Sequence, residues 1–92
     1  MTVAKRLLVH GHVQGVGFRF ATCLEAKRLG LYGWVRNRHD GTVEIHAEGN
    51  ANAVDEMVDW ASHGPPNANV ARLDIQPGVI EGIDTFTERA SN

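Results

Sequence analysis

The chain holds a single cysteine, Cys23, among its 92 residues, which excludes an internal disulfide and leaves stability to the hydrophobic core, a workable arrangement at this length. One unpaired thiol suits a reducing compartment, so a cytoplasmic location is expected. Long apolar runs are missing as well. None approaches the ~18 residues of a membrane helix, and no apolar segment follows Met1 to Arg6, so neither a membrane partner nor a secretory signal is expected. Repeats and low-complexity tracts are absent, and the length allows one core and one site, so residues 1–92 are expected to form one domain. Acidic side chains are scarce in one part only. Residues 1–38 set seven basic side chains against Glu25 alone, a net of +6, whereas residues 39–92 set ten acids against Arg72 and Arg89, a net of −8. Such asymmetry draws a small anion to the first part and suits a long polyanion poorly, since that would meet the second.

What is present is clear periodicity. Leu7, Val9, Gly11 and Val13 alternate with Arg6, Leu8, His10 and His12, which predicts a first strand within Val3 to Val13. Phe18, Thr22, Ala26 and Leu29 then share one helical stripe, with Phe20 and Leu24 off it and available for a second buried edge. Gly30 is a natural C-cap for that helix, with Lys27 and Arg28 in its last turn. Tyr32 to Asn37 reads as strand two, Arg38-His39-Asp40-Gly41 as a turn, and Thr42 to Glu48 as strand three, with Val43, Ile45 and Ala47 on a dry face and Thr42, Glu44, His46 and Glu48 on a wet one. A second helix is expected from Ala51 to His63, capped by Asn52, buried through Val54, Met57, Val58 and Ala61, and stopped by Gly64-Pro65-Pro66. Val70 to Ile75 reads as strand four with Ala71, Leu73 and Ile75 inward; beyond Pro77-Gly78 the pattern is vague, and Ala90-Ser91-Asn92 is expected to fray.

The order strand, helix, strand, strand, helix, strand predicts an α+β, ferredoxin-like βαββαβ sandwich, an antiparallel sheet with both helices on one face. A right-handed strand–helix–strand crossover makes strands one and two parallel, so both end on the same rim of the sheet. That rim collects the loop after strand one and the end of strand two. The loop, Val13-Gln14-Gly15-Val16-Gly17-Phe18-Arg19, reads as an anion cradle. Glycines let backbone N–H groups converge, a helix start adds unpaired donors, and Arg19 adds a forked charge. A cation in the first turn of a helix is unfavourable unless an anion accompanies it. Asn37 is expected to face this loop across the rim.

Two segments carry a resemblance. Val9 to Arg19 resembles the first signature of the acylphosphatase family, and Gly33-Trp34-Val35-Arg36-Asn37, followed by Gly41, Val43 and Gly49, resembles its second, in the same order and spacing. The short link at Gly30 to Tyr32 and Gly64-Pro65-Pro66 before Ala68 and Val70 are similar to the family as well, so the likeness spans most of residues 5–75. It implies hydrolysis of small acyl phosphates to carboxylate and inorganic phosphate, without metal or organic cofactor. By position, Arg19 would bind the phosphoryl oxygens, Asn37 would hold the attacking water, and the backbone of Gly15, Val16, Gly17, Phe18 and Arg19 would form the cradle. These roles are physically sound: fixed donors and a guanidinium stabilise phosphoryl charge without reorganising, and an amide can orient a water but is no strong base.

A non-catalytic phosphate-binding module or an RNA-binding ferredoxin-like module is the alternative. Against RNA, Leu7 to Val13 and Thr42 to Glu48 hold no aromatic residue, and strand three carries Glu44 and Glu48; no nucleic-acid partner is expected. His10 and His12 share a strand face, yet no Cys, Asp or Glu at suitable spacing on that element completes a metal shell. His39 reads as a surface turn residue, Cys23 as an inert thiol, and Trp34 and Trp60 as packing residues. A free-standing monomer is expected rather than a module of a larger carbamoyl-transfer protein, since nothing follows Asn92. The family's last strand places an aliphatic residue two positions after its phenylalanine, whereas Glu88 follows Phe86 here; strand five is expected to be an irregular edge, with no catalytic position touched.

Overall fold

The computed structural model describes all 92 residues. Its elements are β1 (Thr2–His12), α1 (Phe18–Leu29), β2 (Tyr32–Asn37), β3 (Val43–Asn50), α2 (Ala51–Ala61), β4 (Asn69–Pro77) and β5 (Phe86–Glu88), and the strands form one sheet in the order β4-β1-β3-β2-β5. Two helices on a five-stranded sheet make the ferredoxin-like α+β fold that the element order predicts. Leu7 and Val9 of β1, Val35 of β2 and Val43, Ile45 and Ala47 of β3 are buried against Phe18, Cys23 and Ala26 of α1 and Val54, Met57 and Ala61 of α2. Full burial of a Leu, Ile or Val side chain contributes about 1.5–3 kcal/mol, so this layer is the main source of cohesion. Phe20 and Leu24 stay outside it, more than half exposed, and α1 buries one edge only.

The sheet departs from the expected antiparallel arrangement at one edge. β5 pairs parallel to β2, with Gly33 opposite Phe86 and Val35 opposite Glu88. The cause is the route of the chain. β4 runs antiparallel to β1 at the opposite edge, and the segment after Gly78 crosses the sheet at the end of β3 remote from the α1 loop, so the chain rejoins the sheet travelling in the direction of β2. The tail is tied down rather than frayed: the Asn92 N–H donates to the Asn37 carbonyl, and the His39 N–H donates to the Asn92 carbonyl.

β3 has no wet face. Thr42, Glu44, His46 and Glu48 are all 5 % exposed or less, because the helix-free side of the sheet is covered by its own charged side chains. Glu44 accepts from Arg36 Nε at 2.7 Å and lies 3.5 Å from Arg6 Nε. Trp34 stacks on His46, and the guanidinium groups of Arg6, Arg36 and Arg89 lie 5.5, 5.0 and 4.7 Å from its ring centre. Glu48 takes His46 Nε2 at 2.6 Å and the backbone N–H groups of Glu81, Gly82 and Ile83 at 2.9–3.2 Å. Burial alone would raise the Glu48 carboxyl, but these donors outweigh it and hold it below its ordinary value.

Two smaller differences have local causes. α2 is capped by Asn50, not Asn52: the Asn50 side chain accepts from the Asn52 N–H, and the helix ends at Ala61 rather than His63. In β4 the register shifts between His10 and Gly11, so that Val70 faces Gly11 and Leu73 faces Val9 with one extra residue on β4. A bulge reverses the alternation, which puts Val70 and Leu73 against the core and leaves Ala71 exposed; Ile75 keeps the face of Leu73, opposite Leu7, but is half exposed because β4 is an edge strand.

Candidate active site

The loop between β1 and α1 is shaped by its glycines. Gly15 and Gly17 have φ of 74° and 78°, the left-handed region that costs an L side chain roughly 1–2 kcal/mol. Nothing lies within 4 Å of where a Cβ would stand at either position, so conformation, not crowding, selects glycine. Gly17 is the N-cap residue of α1 and offers no side-chain acceptor, and the first turn carries no acid. The leading N–H groups of the helix therefore keep their partial positive charge facing out. Phe18 anchors the turn from below: it is 2 % exposed and meets Trp60 edge-on at 5.5 Å.

Gln14 fixes the loop to the neighbouring hairpin. Its side-chain NH₂ donates to the carbonyls of Arg38 at 2.8 Å and Thr42 at 2.9 Å. The hairpin turn is itself closed by Asp40, which accepts from the Thr42 hydroxyl and N–H. These bonds, the hydroxyl first, hold the Asp40 carboxyl below its ordinary value. Asn37, at the end of β2, is thereby held against the loop through a strut that the sequence reading did not single out.

A cleft of about 120 Å³ opens on this rim, lined by Val13, Gly15, Gly17, Phe18, Arg19, Phe20, Asn37 and Glu88. Of the residues expected in the site, Gly15, Gly17, Phe18, Arg19 and Asn37 meet here; Val16 does not line the cleft and packs against the core instead. The Arg19 side chain is 39 % exposed. No acid of the first turn pairs with it, and the nearest carboxylate to its Nε is that of Glu88 on β5. His39 is exposed beside the rim, outside the lining, and His10 sits 2.9 Å from Asp74 on β4.

Two lining residues were missed. Phe20 stands exposed at the cleft, where helical periodicity allowed it a buried edge. Glu88 enters because β5 is parallel: Phe86 drops into the core, and two residues further on the same face the Glu88 carboxylate emerges at the rim, 3.9 Å from Arg19 Nε. The departure at Glu88, expected to touch no catalytic position, thus lies in the same cleft as Arg19. Cys23 lies buried beneath; burial first, and then the negative charge of Glu88, push its thiol up, so it is a poor nucleophile.

The family model described as Acylphosphatase matches residues 5–87. A relative named acylphosphatase from an Acidovorax species is 50 % identical over 96 % of this chain and 91 % of its own length, and one of the same name from Thermococcus kodakarensis is 45 % identical over 91 % and 92 %. The crystal structure of acylphosphatase from Bacillus subtilis superposes with a TM-score of 0.91 at 40 % identity, covering 97 % of this chain and 99 % of that one.

Proposed function

This chain belongs to the acylphosphatase family and hydrolyses acyl phosphates, and we propose the following division of labour in its site. The N–H groups from Gly15 to Arg19, together with the Arg19 guanidinium, hold the phosphoryl oxygens of a small acyl phosphate. The Asn37 amide positions a water in line with the bond to the leaving carboxylate. The observation that carries this reading is that Gly15, Gly17, Arg19 and Asn37 line one cleft at an uncapped helix start.

The chemistry follows from what these groups are. Phosphoryl transfer spreads charge over the equatorial oxygens, and prearranged donors around those oxygens stabilise it with little reorganisation. Water oxygen bonds to phosphorus, the bond from phosphorus to the acyl oxygen breaks, and the carboxylate departs with that electron pair. Asn37 offers a carbonyl oxygen and two N–H donors, which orient a water but do not deprotonate it. The water's proton passes to a phosphoryl oxygen, and the carboxylate leaves without a general acid because it is already a stable anion. Products are a carboxylate and inorganic phosphate.

The reaction on this reading uses neither metal nor organic cofactor, and one domain over residues 1–92 acts as a cytoplasmic monomer with no nucleic-acid or membrane partner. Phosphate release from acetyl phosphate, measured with and without a chelator, tests it. Full activity in chelator is expected; strict dependence on an added divalent cation would overturn the mechanism.

A further inference from the structure

Glu88 is the one acid lining the cleft, and it faces the one cation there. Its place follows from the fold. β5 lies parallel to β2 with Val35 opposite Glu88, so the strand climbs towards the rim that holds Asn37. Alternation then sends Phe86 and Glu88 to the helix side, the first into the core and the second to the mouth of the cleft. Arg89 turns the other way, over Trp34. The Glu88 carboxylate and the Arg19 guanidinium are 3.9 Å apart with side chains 44 % and 39 % exposed. That distance and exposure make a loose pair, one that water and salt weaken. A phosphoryl dianion binds a guanidinium through paired, charge-assisted hydrogen bonds and displaces such a partner readily.

We propose that Glu88 is the built-in counter-ion of Arg19: it occupies the guanidinium in the free enzyme, is displaced by the phosphoryl group, and by its remaining negative charge sets how weakly the site holds substrate and product phosphate. This rests on the reading of Arg19 as the phosphoryl ligand. Glu88 sets affinity in this scheme, acting through Arg19 and through repulsion of the bound anion. The repulsion acts on bound substrate, transition state and inorganic phosphate alike. It therefore moves binding terms and leaves the chemical step almost unchanged. A site with the aliphatic residue that the resemblance implies at this position would retain product more tightly.

The test is Glu88→Gln, with Glu88→Leu as a second variant of different shape, assayed with acetyl phosphate and with inorganic phosphate as competitive inhibitor at low and high salt. The inhibition constant for phosphate and KM are expected to fall together by about 3- to 10-fold at low salt, with kcat within about 2-fold, and the gap from the parent enzyme is expected to shrink as salt screens it. In an Arg19→Gln background, Glu88→Gln is expected to shift phosphate inhibition by less, since only the direct repulsion of the anion then remains. Unchanged or weaker phosphate inhibition in both folded Glu88 variants, or a large loss of kcat in either, overturns the proposal and leaves the Arg19 reading intact. Phosphate inhibition that Arg19→Gln alone leaves untouched overturns both.

Discussion

The protein uses arginine and glutamate in two opposite ways, on two sides of one sheet. On the helix-free face, Glu44 and Glu48 are almost completely buried, and their partners close around them: Arg36, Arg6, His46 and three backbone N–H groups. At the rim, Arg19 keeps more than a third of its side chain in water, its nearest acid stands 3.9 Å off, and the helix donors beneath it have no side-chain cap. The first arrangement leaves an anion little to gain, because Glu44 and Glu48 already stand against the cations beside them, even though Arg6 Nε and His46 Nδ1 keep no hydrogen-bond partner of their own. The second leaves donors unspent, which is what binding an anion requires. On the proposed reading of Arg19, charge that stabilises the fold and charge that binds substrate differ less in residue type than in how completely the chain itself completes the shell.

If the contrast is right, substitutions at the rim disturb turnover and spare the fold. Asn37→Ala is expected to lower kcat by roughly 10²-fold or more with a smaller change in KM, and Arg19→Lys to weaken phosphate binding as well because the planar fork is lost. Thermal unfolding of both variants should stay close to that of the parent; an Asn37→Ala enzyme at full rate would remove the water-positioning role. On the closed face the effects reverse. Glu48→Gln loses charge-assisted bonds to three backbone N–H groups and is expected to cost about 2 kcal/mol in denaturant unfolding, with kcat per folded molecule retained. Acid sharpens the same point. Because the folded Glu48 carboxyl is held below 4.5, its contribution is present above that pH and is lost as the pH falls through the lower folded value, so stability should drop there and drop less in Glu48→Gln. The smallest effect belongs to the exposed pair Lys5 and Asp55 at 3.3 Å, where Lys5→Ala should change stability by less than about 0.5 kcal/mol.

Much of this was legible in the chain. Glycine and proline punctuation marked every element but the last, and period-two and helical stripes found Leu7, Val9, Ile45, Val54 and Met57 as core. That the loop from Gly15 to Arg19 shares a rim with Asn37 was legible because two local patterns and one handedness rule put them there. What stayed hidden was set by partners far along the chain. Glu44, His46 and Glu48 look solvated in sequence, since nothing local says that Arg6, Trp34 and residues 81–83 will cover them. The bulge opposite Gly11 arises from pairing, so simple alternation misplaced Ala71, while Ile75 has the expected face and is left exposed by its place on an edge strand. β5 is three residues long, too short to carry a period, and its direction depends on the route after Gly78. Glu88 was invisible as a site residue for that reason alone.

The strut from Gln14 to the hairpin carbonyls has a further consequence, for fluctuation rather than for charge. Two hydrogen bonds from one side chain couple the cradle loop to the Arg38–Thr42 turn, so the two segments cannot wander independently. Their conformational entropy is surrendered when the protein folds, not when substrate arrives. Amide exchange in the loop and in the turn should therefore rise and fall together, and a Gln14 variant should let each breathe at its own pace.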